Sequence, residues 1–244
     1  SASLPALGLS NKAINQGDVD EEKEDPNARE TNETKNISYS LTSALSQPPV
    51  EDQLQRHLLW PEIEKLYGHG YEMSCVDVSS DGSLIASACR SNSPQHAVVR
   101  IFDAKTWQEI KPPLFYHDLT ITRLKFSKDS KFLLSVSRDR KWAIWERDMA
   151  TNTFGLKYSN EKAHARIIWD SDWAPSDFAN MFITGSRDKS VKVWKFENAK
   201  DTFECEGTVK IGEPVTAVSV YDKVIDDKLL IAVGTVSGKI HIFT

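Results

Sequence analysis

Cysteine is scarce in this sequence of 244 residues: Cys75, Cys89 and Cys205 are an odd number at unrelated spacings, and no CxxC pair exists. That argues against a disulfide framework and gives no zinc-binding pattern. A reducing compartment, cytoplasm or nucleus, is therefore expected. No apolar run approaches the roughly 18 residues that span a bilayer, so no membrane partner is expected. The opening residues Ser1-Ala-Ser-Leu-Pro5 lack the basic and apolar regions of a signal peptide. Without a secretion signal, the sequons Asn32-Glu-Thr34 and Asn36-Ile-Ser38 are not expected to carry glycans. A GxSxG elbow, an HExxH helix, a P-loop and a dinucleotide fingerprint are all missing. No enzyme is expected, and no catalytic, cofactor-binding or metal-binding residue is assigned.

Charge of one sign is also missing over most of the chain. The net charge is −5, but the segment from Asp18 to Arg56 holds ten acids against four bases, which leaves the remainder almost neutral. Global charge therefore gives no reason to expect nucleic-acid binding. Three regions follow from composition. Residues 1–14 contain Leu4-Pro-Ala-Leu-Gly-Leu-Ser10, which reads as a short buried strand. Residues 15–57 are polar and acidic. They cannot bury enough apolar area to offset about 1–2 kcal/mol of backbone entropy per residue, so a disordered acidic linker or loop is expected. It is either a bland solvated insertion or a partner-binding, phosphorylatable tail.

Residues 58–244 repeat. Leu134-Ser-Val-Ser-Arg-Asp-Arg-Lys-Trp-Ala-Ile-Trp145 lines up with Thr184-Gly-Ser-Arg-Asp-Lys-Ser-Val-Lys-Val-Trp194. A looser copy runs from Ile85-Ala-Ser-Ala-Cys-Arg-Ser91 to Val99-Arg-Ile-Phe-Asp103, and Ile231 to Phe243 keeps the same apolar beat. Each is preceded by a strand with inward residues: Met73/Val76/Val78, Ile121/Leu124/Phe126, Ile168/Trp173 and Val215/Val218/Val220. Turns such as Ser80-Asp-Gly82 and Ser127-Lys-Asp129 follow. His69, His117 and His164 are 48 and 47 residues apart, and Trp145 and Trp194 are 49 apart. The period slightly exceeds the 40–45 residues of a WD40 repeat, which implies loop insertions such as Arg90–Ala97.

These phrases resemble the WD40 family, whose blades are four-stranded antiparallel sheets around a common axis. The resemblance implies an all-β fold: an incomplete WD40 β-propeller of about three full blades and most of a fourth. Seven blades of about 42 residues would need roughly 300 residues, so the missing blades are expected from chain outside this sequence. The resemblance also implies a structural network in which a histidine hydrogen-bonds an aspartate of the middle hairpin, with a serine and a tryptophan completing it. One set is His117, Ser137, Asp139 and Trp145; the other is His164, Ser186, Asp188 and Trp194. In the first repeat Cys89 and Ser91 stand at the serine and aspartate places, so that blade is expected to lack the network.

What remains is surface. Arg90, Arg138 and Arg187 recur at spacings of 48 and 49, just before the hairpin turn, and would form an arc on one face. They either stack on neighbouring blades and pair with nearby acids, or present a cationic arc to an acidic segment or phosphate backbone. In Arg166-Ile-Ile-Trp-Asp170, Trp169 is out of phase with core residues Ile168 and Trp173. It is either an exposed interface anchor or covered by the adjacent blade. Arg166, Trp169 and Asp170 join the arginines as the candidate interaction surface.

Four phrases are more specific: Leu4-Pro-Ala-Leu-Gly-Leu-Ser-Asn-Lys-Ala13, Leu59-Trp-Pro-Glu-Ile-Glu-Lys-Leu-Tyr-Gly-His-Gly-Tyr-Glu72, Ser137-Arg-Asp-Arg-Lys-Trp142 and His164-Ala-Arg-Ile-Ile-Trp-Asp170. Together they resemble the family of second subunits of the Elongator complex, in part of its second propeller. That resemblance implies a non-catalytic scaffold without cofactors in an assembly that modifies the wobble uridine of tRNA. The implied partners are the largest subunit and the catalytic acetyltransferase-like subunit, with tRNA touched indirectly. The alternative is a different WD40 module that reads RNA or an acidic peptide through the arginine arc.

Overall fold

Runs such as Phe132-Leu-Leu-Ser-Val-Ser137 and Met181-Phe-Ile-Thr-Gly-Ser186 send successive side chains to opposite faces, and both faces are buried. A strand of that kind must be covered on both sides. The computed structural model describes residues 64–175, 178 and 180–244, and within them such runs form fifteen strands in four antiparallel sheets. The strand expected within residues 1–14 and the acidic linker of residues 15–57 lie outside the described residues.

The first sheet is β1 (Met73–Val78), β2 (Leu84–Cys89), β3 (Val98–Asp103) and β4 (Glu109–Phe115). The second is β5 (Ile121–Phe126), β6 (Phe132–Ser137), β7 (Trp142–Arg147) and β8 (Phe154–Asn160). The third is β9 (Ile168–Trp173), β10 (Met181–Ser186), β11 (Ser190–Glu197) and β12 (Thr202–Lys210). The fourth has three strands, β13 (Val215–Val220), β14 (Ile231–Thr235) and β15 (Ile240–Phe243). Every sheet is a simple meander in sequence order. This is the partial propeller that the repeat implies, and its four sheets do not close.

The core lies between sheets. Leu84, Ala86 and Ile101 of the first blade meet Leu124, Leu133 and Trp145 of the second. Leu134, Val136 and Trp142 of the second meet Trp173, Phe182 and Trp194 of the third. Adjacent residues therefore serve different interfaces: Leu133 faces blade one and Leu134 faces blade three. The second interface is aromatic, with Trp142 ring centroids 5.2 Å from Phe182 and 5.3 Å from Trp194, both edge-on. Between blades three and four the backbones approach so closely that a Cβ on Gly185 would lie 2.7 Å from Val215 and from Val218. Only glycine fits there.

The inner strands are tied by side chain to backbone. Asp77 of β1 accepts the Phe126 N–H of β5 at 2.7 Å. Thr122 of β5 donates to the Ile168 carbonyl of β9 at 2.7 Å. Asp172 of β9 accepts the Val220 N–H of β13 at 2.9 Å. Inward residues of β5, β9 and β13 are buried as the alternation predicts. Those of β1 are not: Met73, Val76 and Val78 are 52–58% exposed. They occupy the face that in the later blades packs on the preceding sheet, and among the described residues no sheet lies against it.

Candidate interaction surface

The middle hairpins, β6–β7 and β10–β11, turn on Ser-Arg-Asp followed by a basic residue, Ser137-Arg-Asp-Arg140 and Ser186-Arg-Asp-Lys189. Arg140 (φ 74°) and Lys189 (φ 69°) hold the left-handed position that reverses the chain, and each donates its N–H to the carbonyl of the turn serine. The aspartate of each turn points back towards a histidine. His117 Nδ1 lies 3.0 Å from Asp139 Oδ2, and His164 Nδ1 lies 2.9 Å from Asp188 Oδ2. Each carboxylate also takes a backbone N–H from the residue after its histidine, at 3.0 Å in both blades.

The hydroxyl in each network is two residues earlier than the repeat implied. His117 Nε2 is 2.9 Å from Ser135 Oγ, which accepts the Trp145 indole N–H at 3.0 Å. His164 Nε2 is 2.7 Å from Thr184 Oγ1, which accepts the Trp194 indole N–H at 2.9 Å. An indole only donates and a carboxylate only accepts, so the chain of protons runs from hydroxyl to Nε2 and from Nδ1 to carboxylate. Ser137 and Ser186 do a neighbouring job. Each donates to carbonyls at the entry to the inner strand and accepts the N–H of the turn aspartate at 3.1 Å.

Blade one keeps half of the network that was expected to be absent. Ser87 sits level with Ser135, and its Oγ is 2.8 Å from His69 Nε2. Ser91 stands at the aspartate position and Phe102 at the tryptophan position, so His69 Nδ1 is buried without a partner. Cys89 corresponds to Ser137, the turn serine, and its thiol donates to the His96 carbonyl.

Burial shifts these groups. It lowers the basicity of His164, and next of His69 where the Arg100 charge adds to it. For Asp139 and Asp188, burial alone would raise the carboxyl. Hydrogen bonds from the histidine and, respectively, the backbone of the turn and Ser190 outweigh that, and both stay below the usual carboxylate range. Burial pushes the Cys75 thiol up to about 12, which makes it a poor nucleophile. Among the described residues no group of three or more His, Cys, Asp or Glu side chains is placed to hold a metal ion.

The three arc arginines occupy equivalent places. Their backbone N–H groups bond the Glu72, Thr120 and Ile167 carbonyls at 2.7, 3.0 and 2.9 Å. All three are exposed. Arg90 pairs with Glu72 at 2.8 Å, the side chains being 71% and 77% exposed, so the pair is worth little. The guanidinium groups of Arg138 and Arg187 have no acid or acceptor among the described residues, and the same holds for exposed Arg140 and Arg166. The turn aspartates that could have neutralised them are committed to histidines. Arg140 was missed by the repeat-phase reasoning, although it stands in the same turn as Arg138.

Arg90, Arg138 and Trp169 line one groove of about 660 Å³, together with Tyr71, Met73 and Ser93. Trp169 is 37% exposed. Asp170 does not belong to this surface. It is 3% exposed and accepts Arg123 Nε at 2.5 Å and the Val218 N–H at 2.9 Å. Alternation along β9 explains the difference: Trp169 faces the groove and Asp170 the seam between blades. A buried cation was equally unforeseen. Arg147 joins Asp81 at 2.9 Å and Ser83 at 3.0 Å across the first two blades.

The family model described as WD domain, G-beta repeat matches residues 60–94, 112–146 and 157–195. The chain is 57% identical over its whole length to Elongator complex protein 2 of Saccharomyces cerevisiae, of which it covers 31%. It is 39% identical to the protein of the same name in Mus musculus, again over 100% of the chain and 31% of the relative. With the Schizosaccharomyces pombe protein the figures are 39% identity, 99% of the chain and 30% of the relative. The chain thus spans about a third of the length of these relatives.

Proposed function

The chain belongs to the WD40-repeat family, and from that premise we propose that it is a non-catalytic scaffold portion of an Elongator subunit. On this reading its turn face holds the largest subunit and the catalytic acetyltransferase-like subunit, and so supports wobble-uridine modification of tRNA in the cytoplasm and nucleus. The observation that carries the reading is the row of exposed guanidinium groups at Arg138, Arg140, Arg166 and Arg187, unpaired among the described residues. Hairpin turns present the forks of Arg138, Arg140 and Arg187, and the aspartate of each turn is already engaged by a histidine. Such a fork is suited to a bidentate carboxylate from a partner chain.

The test uses the full-length protein, tagged and purified from its native cells. Replacing Arg138 and Arg187 together by Glu should strip the largest and catalytic subunits from the eluate, quantified by mass spectrometry, without lowering the Tm. An unchanged set of co-purifying subunits would remove the reading. The same arginines suit a phosphate backbone, and Tyr71 and Trp169 beside them suit base stacking. Direct RNA reading is therefore the second candidate. It predicts RNA affinity that falls steeply with salt and that Arg138→Ala weakens.

A further inference from the structure

The link between β2 and β3 is long. It runs over residues 90–97, whereas β6 and β7 are joined by residues 138–141 and β10 and β11 by residues 187–189. The surplus is Asn92-Ser-Pro-Gln-His96, placed on the face that carries the arginines. Hydroxyl groups around it are committed. Ser91 is buried, donates to the Ser93 carbonyl at 2.7 Å and accepts the Ser93 N–H at 3.1 Å. Thr120 Oγ1 donates to the Ser91 carbonyl and accepts the Ser91 N–H, both at 2.9 Å.

Ser93 is different. Its carbonyl is pinned by the N–H groups of His96 and Ala97, at 3.2 and 3.1 Å, which fixes the turn. Its Oγ has no partner among the described residues, and exposed Asn92 and Pro94 flank it. Its side chain lines the same groove as Arg90 and Arg138. A hydroxyl free among the described residues and followed by proline, on a surface loop whose groove two arginines also line, joins an acceptor for a proline-directed kinase to a receptor for its product.

We infer that Ser93 is a phosphorylation site whose phosphate is received by Arg90 and Arg138. The γ-phosphoryl group of ATP passes to Ser93 Oγ, forming an O–P bond. ADP leaves, and the hydroxyl proton goes to the base of the kinase. The product adds a charge of about −1.5 to −2 and three acceptor oxygens. Among the described residues Arg138 has no competing acid. Arg90 has only its solvent-exposed pair with Glu72, which a dianion displaces. Asp139 does not repel the phosphate strongly, because its carboxylate points back to His117. Resting on the scaffold reading above, the modification fills the cationic groove and closes it to an acidic partner.

The experiment treats the full-length protein with ATP and a proline-directed serine kinase, then maps the tryptic peptide spanning residues 91–100. The expected result is one phosphoryl group, placed on Ser93 by fragmentation and lost in Ser93→Ala. A peptide left unmodified, or modified at Ser91, overturns the site. Retention on heparin, a polyanionic probe, reads the groove. The phosphorylated protein should elute at lower salt than the untreated one, and Arg138→Gln should abolish most of that difference. Phosphate on Ser93 with unchanged elution overturns its capture by the arginines. Subunit co-purification is a separate readout, so failure at Ser93 leaves the scaffold reading to its own test.

Discussion

Asp188 accepts a hydrogen bond from His164 at 2.9 Å, and that contact turns the acid next to Arg187 in sequence back towards the blade. Asp139 and His117 repeat the arrangement beside Arg138. In blades two and three a network inside the blade thereby sets the charge outside it.

The hydroxyl at the centre of each network should be hard to replace. Thr184→Val keeps the shape but leaves the Trp194 indole N–H and His164 Nε2 unsatisfied, at about 1–3 kcal/mol for each stranded group. Thermal unfolding should show the loss, and Ser135→Ala should act in the same direction in blade two. A variant as stable as the parent would mean that these bonds carry no weight.

Acid should weaken blade three in two stages. His164 titrates below its ordinary value near 6.5, so the unfolded chain takes a proton first and stability falls as pH drops below about 6.5. Asp188 also titrates below its ordinary value near 3.8, and its contribution is lost as pH falls from there through the folded-state value. Denaturant midpoints measured from pH 7.5 to 5 should decline, and His164→Gln should flatten that slope.

Gly185 should tolerate no side chain. A methyl group there meets Val215 and Val218 of the next blade, and overpacking of this kind costs about 1–3 kcal/mol. Gly185→Ala should lower the Tm, and adding Val218→Ala should restore part of it.

Removing Arg123 should harm the seam between blades. Arg123→Leu leaves the buried Asp170 carboxylate without its cation. Two backbone N–H donors remain, from Ser171 and Val218, so the cost should sit near the lower end of about 3–5 kcal/mol. The double variant Arg123→Leu with Asp170→Asn should recover much of it.

Histidine and tryptophan phases, apolar alternation and turn residues were legible in the sequence because each repeats with the blade. The network hydroxyl was not. Ser135 and Ser137, like Thr184 and Ser186, share one face of a strand, and only the register that sets Trp145 opposite Leu133 shows that its indole reaches diagonally to Ser135 and not to Ser137. Asp170 misled for a related reason: its neighbour Trp169 is on the surface, and strand alternation turns the carboxylate away. The ties between inner strands had a faint signal in the matching positions of Asp77 and Asp172, two repeats apart. Arg147 gave none, since its partners Asp81 and Ser83 belong to another blade.

Hydroxyl-radical footprinting of the full-length protein, free and within its purified assembly, tests the proposed docking face most directly. Protection should fall on the turns at residues 138–141 and 187–189 and on Trp169, with the outer strands β4 and β8 unchanged. Protection confined to β4 and β8, with Trp169 as reactive in the assembly as alone, would contradict it.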